Sequence, residues 1–329
     1  MGFSTVLGQD DLKKKLLDQI QGDTLSHAYL IYGDPGLDPQ GFAKTFAQGI
    51  LCKESRGEIP CGKCIPCKKV LGHNHEDLII YSQETLKVED IRGLEKDMHI
   101  KPYSRGKKIY IINHGEGITP QGQNALLKTL EEPPSFGIIL MVARAKEALL
   151  PTIQSRCQGL GLKPVPGEEM YRALKNTWGY PEDKAREAVN IAGGKMKTAL
   201  RYLEDENYEN RRKHLFSLFE NMAEKGITES LEALEALSVE KDQVEEVLDL
   251  SFTFFRDLLL YKQLQDPQWL IHKDQEAIIK TLEKKSTNNG ILKALEEVEK
   301  LQSYTRANVS AKSIIEMLVL NTHQALRDK

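Results

Sequence analysis

Five short runs of mostly apolar residues in the first half of the chain constrain its fold more than any other feature. Segments with helical periodicity separate these runs. Nearly continuous apolar runs are typical of strands in a parallel sheet that helices cover on both faces, so the alternation predicts an α/β fold. The predicted strands are 28–32, 77–81, 107–113, 137–142 and 159–162, and the predicted helices between them are 40–51, 88–99 and 121–132.

Prolines and glycines divide the rest of the chain. Pro164 and Pro166 end the α/β pattern, and Pro181 and the pair Gly193-Gly194 interrupt the short helical stretch that follows. The remainder has helical periodicity, with apolar stripes at 244–264 and 311–326 that predict the core of a helix bundle. The 329 residues also exceed what one hydrophobic core usually organises. We therefore predict an α/β domain at 1–163, a small helical domain at 164–208 and a larger helical domain at 209–329.

Four of the five cysteines fall in one short stretch. They have the spacing C-x8-C-x2-C-x2-C and are Cys52, Cys61, Cys64 and Cys67. Zinc takes four thiolates in a tetrahedron, and a complete set leaves no open coordination position, so the pattern predicts a structural zinc module at 52–67. Four free thiols are the alternative, and His73 and His75 lie near enough in sequence to act as substitute ligands. Cys157 is remote and is predicted to be a small packing residue.

The turn after the first predicted strand has the sequence position of a phosphate-binding loop. A strand, the sequence GDPGLDPQ at 33–40 and a helix follow one another, as in the pattern G-x-x-x-x-G-K-[ST]. Gly33 matches the first glycine, but Asp38, Pro39 and Gln40 stand where the second glycine, the lysine and the hydroxyl residue belong. Proline supplies neither a cation nor an N–H group, and the Asp38 carboxylate would repel phosphate. We therefore expect no ATP cofactor here.

The end of the third predicted strand also lacks the residues of an ATPase. An aspartate is needed there to hold hydrated magnesium, usually with a glutamate beside it to activate water. This chain has Asn113 and His114 instead. Because both losses fall at matching strand ends, we predict that the chain has no ATPase activity of its own.

Charge and hydropathy limit the possible partners and location. The chain has 45 Lys and Arg against 48 Asp and Glu, a net charge of −3, so it lacks a general basic field for nucleic acid. A basic cluster could meet a DNA backbone locally, although a solvated strand edge is the alternative; its members are Lys101, Arg105, Lys107 and Lys108. No apolar run approaches a membrane span and the N-terminal segment has no secretory pattern, so we expect a cytoplasmic protein without membrane contact.

Motifs in the first two predicted domains resemble a known family. The run NALLKTLEEPP at 124–134, followed by Ser155-Arg156-Cys157, closely resembles the bacterial clamp-loader subunits of DNA polymerase III. The four-cysteine insertion, VLGQ at 6–9 and HAYLIYG at 27–33 belong to the same resemblance. In this family the tau/gamma subunits keep intact ATP motifs, whereas the delta-prime branch often does not. The chain is similar to that branch.

The resemblance implies an AAA+ fold and a role for one arginine. It implies an AAA+ module built from the α/β domain and a helical lid, followed by a helical collar for oligomerisation. It also implies that Arg156 acts in trans as an arginine finger toward ATP held by a neighbouring subunit. The alternative for Arg156 is an ordinary ion pair with a surface carboxylate. The two sensor positions of the family fall on Ala143 and Lys197, and both departures fit an empty nucleotide site.

The implied partners follow from the same resemblance. They are the tau/gamma and delta subunits, in a hetero-oligomer that places a sliding clamp on primer-template DNA as part of the DNA polymerase III holoenzyme. Two other functions stay open. One is a tau/gamma-like clamp-loader ATPase with an atypical phosphate loop. The other is a zinc-dependent nucleic-acid-binding protein that uses the cysteine module and the basic cluster directly.

Overall fold

The chain forms two compact units. Unit 1 contains Met1–Gly179 and Gly194–Lys197, and unit 2 contains Tyr180–Gly193 and Thr198–Lys329. The computed structural model describes residues 3, 6–54, 58–104, 106–224, 243–304 and 309–327. This division into two units does not test the predicted domain limits at 163 and 208, which stay predictions.

A five-stranded parallel sheet organises unit 1. Its strands are β1 (Ala28–Tyr32), β2 (Leu78–Tyr81), β3 (Lys108–Ile112), β4 (Gly137–Ala143) and β5 (Gln158–Gly161). They lie in the order β2-β3-β4-β1-β5, and every neighbouring pair is parallel. All five predicted strands are therefore confirmed, with small shifts at their ends. In this order β1 lies inside the sheet, and a loop at its carboxyl end is at the edge where parallel sheets usually bind ligands.

Seven helices in the described part of unit 1 surround the sheet. They are α1 (Asp10–Gln21), α2 (Pro39–Leu51), α3 (Ile65–Leu71), α4 (Val88–Met98), α5 (Pro120–Glu131), α6 (Pro151–Gln154) and α7 (Gly167–Asn176). Proline is the first residue of α2, α5 and α6, where its missing N–H has no partner in the helix and its fixed φ suits the first turn. The helices predicted at 40–51, 88–99 and 121–132 correspond to α2, α4 and α5.

Alternate residues along the strands pack into two apolar layers, one on each face of the sheet. On one face, strand residues such as Tyr29 and Ile31 pack with α1 and α2, whose contributions include Leu16, Phe42 and Phe46. On the other face, the strands pack with α4 and α5 through Leu30, Ile112, Met141, Ile91, Leu94 and Leu126. Helices thus cover both faces, as the continuous apolar runs predicted.

The described part of unit 2 is helical. The helices that follow α7 in the chain are α8 (Glu182–Ala192), α9 (Met196–Glu204, which begins in unit 1), α10 (Tyr208–Glu224), α11 (Val244–Leu264), α12 (Glu276–Lys285), α13 (Asn288–Tyr304) and α14 (Ala311–Arg327). The apolar stripes predicted at 244–264 and 311–326 lie on α11 and α14 and pack into one core. Within the residues described, no helix combines the length and apolar character needed to cross a membrane.

An ion pair between a buried arginine and a half-exposed carboxylate joins α10 to the segment before α12. Arg212 is 1% exposed, and its terminal nitrogens donate to both carboxylate oxygens of Asp274 at 2.8 and 2.6 Å. Arg212 also lies 3.2 Å from Nδ1 of His272, a ring that is completely buried. Burial lowers the pKa of His272 to about 3, so its ring is neutral at neutral pH. Because arginine only donates, Nδ1 accepts from it, and Nε2 donates to the Thr253 hydroxyl at 2.9 Å.

Removing the partner of this buried cation should destabilise unit 2. We expect Asp274→Ala to lower its free energy of unfolding by about 2 kcal/mol, because Arg212 stays buried and loses the half-exposed carboxylate that accepts two of its N–H groups. The matched control is Glu276→Ala, which breaks the pair with Lys280, a cation that is 49% exposed and can return to water, and should cost less than about 1 kcal/mol. Urea unfolding monitored by circular dichroism measures both. Equal losses of unfolding free energy in the two variants would contradict a structural role for the pair of Arg212 and Asp274.

Candidate functional site

The loop after β1 stands where the sequence places a phosphate loop. The N–H of Gly33 donates to the carbonyl of Ala143 at 3.2 Å, so the loop starts against the end of β4. Pro35–Leu37 then form a short 3-10 turn, and Asp34 caps that turn by accepting the N–H of Gly36 at 2.8 Å. The loop is thus held by its own hydrogen bonds before α2 begins.

The carboxylate of Asp38 caps the N terminus of α2. Its Oδ1 accepts the N–H of Gly41 at 3.2 Å, and its backbone has a left-handed φ of 58°. A Cβ built on Gly41 would lie 2.0 Å from Asp38 Oδ2, so a larger residue at 41 would displace the capping carboxylate. Helix N termini attract anions through their free N–H groups and partial positive charge, and phosphate loops use this property. In this chain a side-chain carboxylate takes that position, and Pro39 removes one N–H.

A lysine from the same unit neutralises the other carboxylate of the loop. Lys195 Nζ lies 2.6 Å from Oδ2 of Asp34, and both side chains are partly exposed. The neighbouring Gly194 accepts the N–H of Val165 at 2.8 Å, which fixes this segment against the chain that follows β5. Sequence reasoning missed Lys195. It singled out Lys197, whose side chain is exposed on α9.

The carboxyl end of β3 presents neutral polar groups to this region. The side-chain amide of Gln40 donates to the carbonyl of Asn113 at 3.5 Å, and the Asn113 amide donates to Ser82 Oγ at 3.2 Å. Ala143, at the predicted sensor position, is buried at the end of β4. The nearest acidic residue after β3 is Glu116, which lies 3.9 Å from Nε of Arg144. The arrangement thus offers a magnesium ion no carboxylate at positions 113 and 114.

The four cysteines predicted to bind zinc come together. Their Sγ atoms all lie within 4.8 Å of one another, with 3.9 Å between Cys52 and Cys64 and 4.0 Å between Cys61 and Cys67. Zn–S bonds of about 2.3 Å in a tetrahedron require sulfur atoms about 3.8 Å apart, so the cluster has the size and chemistry for a metal such as zinc. Cys52 follows α2, and the other three lie in the turn before α3 and within its first turn.

The environment of the sulfurs fits partial ionisation. Hydrogen bonds from the backbone N–H groups of Cys64, at 3.4 Å, and Lys63 lower the pKa of Cys61 to about 6. Burial raises the pKa of Cys67, which therefore keeps its proton until a cation replaces it. The two histidines proposed as substitute ligands have other partners. His73 lies 2.9 Å from Lys44 Nζ, and Nδ1 of His75 accepts a backbone N–H at 3.1 Å.

Arg156 lies on the surface between α6 and β5. Its Nη2 donates to Oε1 of Glu131 at 2.7 Å, and its Nη1 donates to the carbonyl of Thr152 at 2.9 Å. The side chains of Arg156 and Glu131 are 35% and 53% exposed. The ion pair that sequence analysis gave as the alternative reading is therefore present in the free chain. Glu131 was not singled out from sequence, because only the fold brings it to Arg156.

The basic cluster divides into different environments. Lys108 is buried and lies 2.9 Å from Oδ2 of Asp97, so its charge is already compensated. Lys101 is exposed and Lys107 is partly exposed. Arg105 lies outside the described residues. Cys157 is partly buried and packs against the second apolar layer of unit 1, and burial raises the pKa of its thiol.

Two family models match most of the chain. The model described as "DNA polymerase III, delta subunit" matches residues 8–166, and the model described as "DNA polymerase III, delta subunit, C terminal" matches residues 205–321. The parallel sheet covered on both faces and the helical part that follows it are the architecture that the sequence predicted.

Curated relatives agree with these models. The delta-prime subunit of Bacillus subtilis DNA polymerase III is 30% identical over 322 residues, which are 95% of each chain. The delta-prime subunit of Pseudomonas aeruginosa is 26% identical over 90% of this chain and 91% of its own. The tau subunit of Bacillus subtilis is 27% identical over 82% of this chain, which spans about half of that subunit (52%). The chain therefore belongs to the delta-prime family of DNA polymerase III subunits.

Proposed function

We propose that the chain is a non-catalytic clamp-loader subunit that holds no ATP and supplies Arg156 to the ATP site of a neighbouring subunit. In the assembly, that neighbour would hydrolyse ATP while a sliding clamp is loaded on primed DNA. Family membership supports the clamp-loader role. The observation that carries the non-catalytic part is the Asp38 carboxylate on the N terminus of α2.

Electrostatics at the loop opposes a bound triphosphate. The β- and γ-phosphates would approach the carboxylates of Asp34 and Asp38, and each like-charge contact at about 4 Å costs roughly 1–4 kcal/mol in water-like to surface environments. Pro39 and Gln40 replace the lysine and the hydroxyl that would compensate this repulsion. Lys195 is the nearby cation, and its ammonium already pairs with Asp34.

The sheet topology supports a role for Arg156 in trans. β1 and β5 are parallel neighbours, and the loop at 33–40, which has the position of a phosphate-binding loop, follows the carboxyl end of β1. Arg156 comes just before the amino end of β5, and therefore lies at the opposite end of the strands from the loop. A strand of four or five residues spans about 15 Å, so Arg156 is far from the loop of its own chain. Its exposed guanidinium suits the charge of a transferring phosphoryl group on another subunit.

The remaining parts of the proposal concern the assembly and the metal. We propose that the tau/gamma and delta subunits are the partners in a hetero-oligomer, that the lid is 164–208 and that the collar is 209–329. Because a clamp loader acts on DNA in bacteria, we propose a cytoplasmic location. We also propose that zinc is the metal of the cysteine cluster and that its role is structural, since four thiolates leave no open position.

The purified chain should not bind nucleotide. With a fluorescent ATP analogue and magnesium, we expect no saturable binding up to about 1 mM, where binding energy falls to about 4 kcal/mol. A triple variant, Asp38→Gly with Pro39→Lys and Gln40→Thr, removes the capping carboxylate and restores the cation, and should gain measurable affinity. Saturable, magnesium-dependent binding by the unaltered chain would favour a tau/gamma-like ATPase instead.

Loss of the Arg156 guanidinium should slow hydrolysis by the neighbour. In a loader reconstituted with this chain, Arg156→Ala should reduce ATP turnover at the adjacent site by a factor on the order of 10³ or more, the usual effect of an arginine finger. Folding should be unaffected, because an exposed ion pair contributes at most about 1 kcal/mol. The matched control is Arg172→Ala, which removes an exposed arginine on α7. Unchanged turnover in Arg156→Ala would exclude this role.

Metal content tests the cysteine cluster. The purified chain should contain one zinc per chain by mass spectrometry of the metal, and Cys64→Ser should lose it. Cys157→Ala is the matched control, because that thiol is remote from the cluster and should leave the metal content unchanged. A chelator should also lower the thermal stability of unit 1 if zinc is structural. Full metal retention by Cys64→Ser would refute the four-cysteine assignment.

A further inference from the structure

The end of α5 holds a carboxylate where the helix alone would disfavour one. Glu131 is the last residue of α5, and the C terminus of a helix carries partial negative charge that repels an acidic side chain. The prolines at 133 and 134 stop the helix at this place, so Glu131 cannot move into the middle of a longer helix. A residue whose charge is unfavourable for its own helix is often found at a functional position. The compensating contact is the guanidinium of Arg156, at 2.7 Å.

We infer that Glu131 is a positioning residue for Arg156. Together with the carbonyl of Thr152, it holds the guanidinium between the ends of α5 and α6. This inference rests on the proposed role of Arg156 as an arginine finger. It adds that the finger is oriented before the neighbouring ATP is met, by a residue of its own chain that does not touch the nucleotide.

The hydrogen bonds of Arg156 within its own chain do not use all of its donors. A guanidinium has five N–H donors. Within the described residues, Nη1 donates to Thr152 O and lies 3.4 Å from Ser155 Oγ, and Nη2 donates once, to Glu131. The second hydrogen of Nη2 and the hydrogen of Nε can therefore meet phosphate oxygens while Glu131 stays bound.

Orientation before binding is worthwhile for a side chain of this length. Arginine has several rotatable bonds, and an unsupported side chain on the surface samples many rotamers. Fixing it beforehand removes part of the entropic cost of placing it beside a phosphoryl group. The opposite reading is a latch, in which the Glu131 carboxylate competes with phosphate and keeps Arg156 from the neighbour. The two readings predict changes of opposite sign.

A double-mutant cycle in the reconstituted loader separates them. The variants are Glu131→Ala, Glu131→Gln, Arg156→Ala and the combination of Glu131→Ala with Arg156→Ala. Glu132→Ala is the matched control, because it removes the adjacent exposed carboxylate. The measured quantities are kcat and KM for ATP, together with the thermal unfolding of each purified variant.

Positioning predicts a defined pattern. Glu131→Ala should lower kcat at the adjacent site about two- to fivefold, the effect expected from losing an exposed ion pair, with KM and thermal unfolding unchanged. Glu131→Gln should recover most of the rate, since its amide oxygen can still accept from Nη2. The combined variant should be no slower than Arg156→Ala alone, because Glu131 acts only through Arg156.

Other outcomes overturn the inference in distinguishable ways. A faster Glu131→Ala variant would establish the latch, and a loss that adds to that of Arg156→Ala would mean that Glu131 acts independently. An effect of the same size in Glu132→Ala would reduce the result to surface charge. If Arg156→Ala itself leaves turnover unchanged, the proposed function fails first, and the inference about Glu131 fails with it.

Discussion

The carboxylate of Asp38 lies on the N terminus of α2, the position that an anion takes in a phosphate loop. In a phosphate loop the free N–H groups at this end of the helix donate hydrogen bonds to the bound phosphate. Here Asp38 and Asp34 accept the N–H groups of Gly41 and Gly36, and Lys195 pairs with Asp34. Hydrogen bonds and an ion pair from its own chain therefore hold the loop without nucleotide. The same backbone path can then serve as a fixed part of unit 1 rather than as a binding site.

The parallel sheet places the loop after β1 and Arg156 at opposite ends of its strands. The loop from Gly33 to Gln40 lies at the carboxyl end of β1, whereas Arg156 lies at the amino end of β5. Substitutions in the loop at 33–40 do not touch α5 and α6, which hold Arg156. Because Arg156 depends on α5 and α6 rather than on α2, a chain can lose its own nucleotide chemistry and still present an arginine to another subunit. That separation is what makes the proposed division of labour physically possible.

What the sequence predicted well rests on local patterns, and what it missed rests on long-range pairs. The strands and most helices follow from apolar periodicity, and the cysteine cluster follows from spacing that a single tight turn can satisfy. The pairs Asp34–Lys195 and Glu131–Arg156 join residues far apart in the chain. The burial of Lys108 likewise depends on Asp97 at the end of α4, not on the neighbouring basic residues. No periodicity encodes such contacts, because charged surface residues have many possible partners until the fold selects one.

The fold of unit 1 and the polar groups of the loop after β1 are specified by different residues. The two apolar layers of unit 1 are built by residues within strands and helices, and none of them is a phosphate ligand. The chemistry depends on a few side chains at strand ends, where Asp38, Pro39 and Asn113 stand. Substitutions at Asp38 and Asn113 change charge and hydrogen bonding with little demand on core packing, because Asp38 is exposed and Asn113 is partly exposed, whereas Pro39 is buried. Because Asp38 caps α2, a lysine introduced at position 39 alone would leave the anion position filled, and under the proposed function we therefore expect nucleotide binding to require removal of that carboxylate as well.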